Sequence, residues 1–126
     1  PKVVFVLGGP GSGKGTHCGK LCEDFHGIKH LSAGDLLREE KKSGSKDGAM
    51  IDAYIRDGKI IPVEVTARLL LRAIEKHKDT FHLFLIDGFP RDKKNLAGWH
   101  RIIGSKVDTA FMLFLECDKE VMLERL

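Results

Sequence analysis

The apolar run Val3-Val4-Phe5-Val6-Leu7 passes without a break into Gly8-Gly9-Pro10-Gly11-Ser12-Gly13-Lys14-Gly15-Thr16. A buried strand that empties into a glycine-rich bend leaves few folds open. A loop that wraps a polyphosphate must turn its backbone N–H groups inward, which requires positive φ and a close approach that a Cβ would block. Five glycines in nine positions meet both demands. Cys18, Leu21, Cys22 and Phe25 follow at helical spacing, so the reading predicts a helix from Gly15 to Phe25 with its positive dipole end facing the anion. Gly8 to Lys14 fits the pattern G-x-x-x-x-G-K-[ST] with strand and helix flanks in place, except that Gly15 stands where a Ser or Thr usually holds Mg²⁺ and the hydroxyl arrives one residue later as Thr16. A nucleoside triphosphate is the ligand these residues imply.

Composition narrows the class further. The chain has 126 residues, 31% of them charged and 42% hydrophobic, which suits a single α/β domain and gives no sign of repeats or low complexity. A formal charge of +3, spread along the chain, fits an anionic small molecule better than a nucleic acid or a membrane surface. Three cysteines cannot all pair; Cys18, Cys22 and Cys117 fall on apolar stripes and read as buried thiols of a reducing compartment. With no leader-like segment and no membrane-length apolar run, the expected location is the cytoplasm.

Apolar runs of strand length occur at Val3 to Leu7, Ile28 to Leu31, Leu83 to Ile86 and Thr109 to Cys117. Helical patterns lie between them: one starts at Ser32-Ala33-Gly34-Asp35, one spans Asp47 to Asp57, and one opens at Pro62 and buries Leu69, Leu70, Ala73 and Ile74. Another runs from Asp92 to Arg101, and Asp118 reads as the cap of a last helix. Strands alternating with helices predict a parallel sheet covered on both faces. The two helical patterns after Leu31 exceed one crossover, so residues 32–61 are expected to form an inserted helical segment at the ligand-binding end of the sheet.

A second constellation is Leu83-Phe84-Leu85-Ile86-Asp87-Gly88-Phe89-Pro90-Arg91, a strand that ends in a carboxylate and turns sharply. Asp87 occupies the place of an acid that holds Mg²⁺ through water, although Asp before Gly also serves as a plain turn cap. Arg91 and Arg38 offer planar donor forks for phosphate oxygens.

Taken in order, Gly8 to Thr16, His30-Leu31-Ser32-Ala33-Gly34-Asp35-Leu36-Leu37-Arg38, Asp57-Gly58-Lys59-Ile60-Ile61-Pro62 and Ile86 to Arg91 resemble the nucleoside monophosphate kinases, a family of P-loop kinases, from end to end. The resemblance implies Mg²⁺-assisted transfer of the γ-phosphoryl of ATP to a nucleoside monophosphate. It places Gly11, Ser12, Gly13, Lys14, Gly15 and Thr16 on ATP. It places Ala33, Arg38, Lys59, Ile60, Ile61, Gly88, Phe89, Pro90, Arg91 and Asn95 around the monophosphate, with Lys14, Arg38, Asp87 and Arg91 in the transfer itself. Ala33, Asn95 and Gly98-Trp99 resemble the branch that uses CMP and UMP, where AMP kinases carry Thr and Gln at the first two positions. AMP remains the alternative acceptor. The family also continues past Glu124-Arg125-Leu126 into a lid with further arginines, so the 126-residue polypeptide is expected to be nearly inactive alone, with a bare strand edge beside Thr109 to Cys117. A phosphate-binding fragment without turnover is the alternative from another class, and the full-length form is expected to be a monomer.

Overall fold

A computed structural model describes residues 1–7, 26–115 and 121–125, with the backbone alone for residue 111 and for residues 113–115 and 121–125. The expected phosphate loop and first helix, including Gly11, Ser12, Gly13, Lys14, Gly15 and Thr16, lie outside these residues, as do Cys18, Cys22 and Cys117.

Five strands form one sheet: β1 (Lys2–Leu7), β2 (Ile28–Ser32), β3 (Leu83–Asp87), β4 (Asp108–Leu115) and β5 (Val121–Arg125), in the order β2-β3-β1-β4-β5. The first four run parallel, which explains why β1, β3 and β4 read as continuous apolar stretches: strands inside such a sheet have no wet face. Four helices are described, α1 (Ala33–Lys42), α2 (Lys46–Arg56), α3 (Val63–His77) and α4 (Lys93–Ile103). Their starts are set locally. Ser32 Oγ accepts from the Asp35 N–H at 3.2 Å, Ser45 Oγ from the Gly48 N–H at 2.9 Å, and Asp92 Oδ1 from the Asn95 N–H at 2.7 Å. Each such cap contributes about 1 kcal/mol. Pro62 precedes α3, where its missing N–H costs nothing.

One difference from the sequence reading lies at the end of the chain. The expected helix after Asp118 is instead the antiparallel strand β5, paired to β4 from Leu115↔Val121 to Phe111↔Arg125. The edge of β4 offers a row of backbone donors and acceptors, and pairing them outweighs the helical preference of a five-residue stretch too short to nucleate alone.

The main core joins Val3 and Phe5 of β1, Phe84 and Ile86 of β3, Ala67, Leu70 and Ile74 of α3, and Trp99 and Ile103 of α4. Ala73, expected in the buried face, is half-buried at its margin. A second cluster, built on Ile51, Val65 and Leu69 with Leu37, Met50 and Ile61 beside it, holds α1 and α2 to the other side of α3.

A polar tie reinforces that second contact. Glu40, 8% exposed, accepts from Ser45 Oγ at 2.7 Å and from Arg72 Nη2 of α3 at 2.5 Å. The Ser45 hydrogen bond, opposed by burial and aided by the Arg72 hydrogen bond and charge, holds the Glu40 carboxyl below its ordinary value of 4.5. A carboxylate stabilised in the folded state contributes fully above its unfolded pKa, and that contribution disappears as pH falls through the lower folded value. The Glu40→Gln variant is therefore expected to unfold at lower urea than the wild type at neutral pH, with the gap shrinking as pH falls below the ordinary carboxyl value of 4.5. A gap independent of pH would assign the loss to packing.

Candidate active site

The site begins at the carboxyl ends of the central strands. Val6 of β1 and Ser32 of β2 both pair in register with Asp87 of β3, so three chain segments leave the sheet at one level. β1 connects outward to β2 and β3 connects the other way to β4, which makes the β1/β3 boundary the point where strand order reverses. Open parallel sheets bind ligands in that crevice. The chain enters the Gly8 to Thr16 segment directly from Leu7, beside Asp87.

At Asp87 the side chain is largely sheltered, and Oδ2 lies 3.3 Å from Nε2 of His30 on the neighbouring strand. A carboxylate only accepts, so His30 Nε2 carries the hydrogen and donates. Gly88 then turns the chain at φ +83°, a conformation that a side chain would strain, and its Cα side faces Ala33 at van der Waals distance. The Phe89–Pro90 peptide that follows is cis. Phe89 is anchored from below by an aromatic triad. Its ring lies 5.9 Å from Phe5 and 5.8 Å from Trp99, while Phe5 and Trp99 meet edge-on at 5.2 Å. Trp99 Nε1 donates to Thr109 Oγ1 of β4 at 3.0 Å, which leaves no unpaired polar atom in this buried ring.

Above the corner opens a cleft of about 390 Å³, lined by Ala33, Gly34 and Leu37 of α1, by Ile60, Ile61, Val63 and Thr66, and by Gly88, Phe89, Arg91, Asp92 and Asn95. Its size falls in the range of small-ligand sites, and its walls are apolar with a few convergent polar groups. Ile60 is 88% exposed at the rim, an unusual position for a large apolar side chain. Arg91 is exposed and makes no ion pair among the described residues. Its backbone N–H donates to Asn95 Oδ1 at 3.1 Å. That bond occupies one lone pair of the amide oxygen and leaves the Asn95 NH₂ as a donor.

The structure thus brings together Ala33, Ile60, Ile61, Gly88, Phe89, Arg91 and Asn95 of the residues singled out in the sequence. Pro90 is buried behind them, and Lys59 is exposed outside the lining. Arg38 also lies off the cleft, its exposed guanidinium paired to Asp35 one turn earlier. Sequence reasoning did not single out Val63, Thr66 or Leu37, whose membership depends on how α3 leans on α1. Among the described residues no cluster of three or more His, Cys, Asp or Glu could chelate a metal.

A parallel sheet with its crevice at the reversal point, a strand-end carboxylate and an arginine-bearing cleft define an α/β protein with a candidate ligand site at its strand ends. The adenylate kinase family profile matches residues 6–126, and the chain belongs to that family. It is 55% identical to the UMP-CMP kinase of Xenopus laevis over 99% of its own length and 66% of the relative's. It is 50% identical to the UMP-CMP kinase of Sus scrofa and 49% identical to that of Homo sapiens, in each case over 99% of this chain and 65% of the relative. The chain therefore spans slightly under two-thirds of the length of these relatives. No helix among the described residues is long and apolar enough to cross a membrane.

Proposed function

We propose that the protein carrying this chain transfers the γ-phosphoryl group of ATP to CMP or UMP. The observation that carries the reading is the shared level of Val6, Ser32 and Asp87, which brings the end of β1 to the strand end from which the chain runs on to Arg91 of the cleft. In this reading Lys14 and the N–H groups of Gly11 to Thr16 hold the ATP phosphates. Asp87, oriented by His30, holds the water shell of Mg²⁺, which when bound neutralises charge on the phosphates. Arg91 orients the acceptor phosphate and reaches the transferred group. Arg38, long and exposed, joins it by leaving Asp35.

The base lies between Ala33, Ile61 and Asn95, with Ile60 covering the mouth. Cytosine and uracil both present a carbonyl acceptor at O2, so an asparagine amide that offers its NH₂ can serve either. Asn95 is shorter than the glutamine of AMP kinases, and Ala33 offers no hydroxyl to a larger base. The 49–55% identity to UMP-CMP kinases supports the same acceptors. A cytoplasmic monomer with no nucleic-acid partner fits the mild charge.

An acceptor panel with ATP and Mg²⁺ on the full-length protein that carries this chain tests this directly. CMP and UMP are expected to exceed AMP in kcat/KM by at least about tenfold, the usual return from matched contacts in a small pocket. Equal values for AMP and the pyrimidine nucleotides would overturn the assignment.

A further inference from the structure

Gly98 stands in the body of α4, where alanine would be more favourable by about 1 kcal/mol on helix propensity alone. The reason lies across the helix contact. A Cβ at position 98 would sit 2.6 Å from Cγ1, 3.0 Å from Cγ2 and 3.3 Å from Cβ of Val63. Val63 is β-branched and held to few rotamers in a helix, so it cannot swing aside. The backbone at the start of α3 would have to move instead.

That backbone belongs to the cleft. Val63 opens α3 directly after Ile60, Ile61 and Pro62, and Ile60, Ile61 and Val63 line one wall. Asn95, one helical turn before Gly98 and therefore on the same face of α4, lines the other. We infer that Gly98 is a specificity-determining residue of the acceptor cleft: its missing side chain sets how closely the Ile60 to Val63 wall approaches Asn95, and so fits the cleft to a single-ring base. The inference rests on the acceptor assignment proposed above. Gly98 touches no ligand itself and acts through Val63.

The test compares the wild type with Gly98→Ala, Val63→Ala and the double variant in the full-length protein that carries this chain. It uses steady-state kinetics with CMP, UMP and AMP at saturating ATP, and calorimetric binding of CMP. The Gly98→Ala variant is expected to raise KM for CMP and UMP about tenfold, to weaken CMP binding to match, and to move the AMP-to-CMP ratio of kcat/KM toward AMP by a similar factor, with kcat for CMP within about twofold. Adding Val63→Ala removes both Cγ atoms that the new Cβ meets, and it is expected to restore CMP binding to within about threefold of Val63→Ala alone. A lowered Tm with an unchanged acceptor ratio would overturn the inference and leave Gly98 a packing residue. Uniform weakening of all three acceptors, or a double variant no better than Gly98→Ala, would overturn it equally. A wild type that prefers AMP would instead overturn the pyrimidine assignment, and the Gly98 inference would still be judged by the change in acceptor ratio between wild type and variant.

Discussion

Arg91→Ala is expected to lower kcat for phosphoryl transfer by about 10³-fold or more, with KM for ATP little changed. Charge spread over the moving group's oxygens in the transition state is what a guanidinium neutralises, and catalysis of this reaction consists of positioning and neutralisation. In the proposed transfer that group is Arg91. It lines the cleft, its side chain makes no ion pair among the described residues, and its backbone N–H donates to Asn95 Oδ1 at 3.1 Å. Arg91→Lys keeps the charge and loses the planar fork, so its rate should fall between wild type and alanine variant. Single-turnover measurement with pre-bound ATP and CMP separates this from product release. A kcat for Arg91→Ala within tenfold of wild type would remove Arg91 from the transfer step.

The largest effect on stability is expected at Trp99. It is the chain's one tryptophan, fully buried, wedged against Phe5 and Phe89 and hydrogen-bonded to Thr109. Trp99→Ala is expected to cost about 3–5 kcal/mol through lost burial and the cavity left behind. That is a large part of the stability of an ordinary domain, roughly 5–15 kcal/mol. Trp99→Phe keeps most of the ring contact, strands the Thr109 hydroxyl in part, and should cost less than half as much. Chemical denaturation followed by far-ultraviolet circular dichroism reads both variants without depending on the removed fluorophore. Equal losses for the two variants would mean that the hydrogen bond, and not the ring, holds the site. Since Phe89 rests on Trp99 and lines the cleft, the same alanine variant should loosen acceptor binding before it unfolds.

Much of this was written locally in the chain. β1 and β3 stood out because strands buried on both sides show unbroken apolar runs, and α1, α3 and α4 because Ser32, Pro62 and Asp92 mark their starts. The cleft residues Ala33, Gly88, Phe89, Arg91 and Asn95 were legible as motifs. Side-chain direction was not. The i,i+3 spacing of Asp35 and Arg38 on α1 permits their pairing, but nothing in the sequence shows that Lys59 lies outside the lining. The tie between Glu40 and Arg72 joins positions 32 apart, and the collision that Gly98 avoids involves Val63, 35 residues away in the sequence. Such pairings exist only once α3 has been laid between its neighbours. β5 escaped notice for the same reason, because a short apolar stretch becomes a strand or a helix according to the edge it meets.

The two apolar clusters on opposite sides of α3 carry a consequence for how this molecule can change over generations. Leu70 and Ile74 face the sheet, while Val65 and Leu69 face the helical pair of α1 and α2. A substitution in Leu37, Met50 or Ile51 disturbs only the smaller cluster, and one in Phe84 or Ile86 only the larger. A change in the smaller cluster can therefore be absorbed without repacking the sheet core, with α3 as the party wall between two separately mutable rooms.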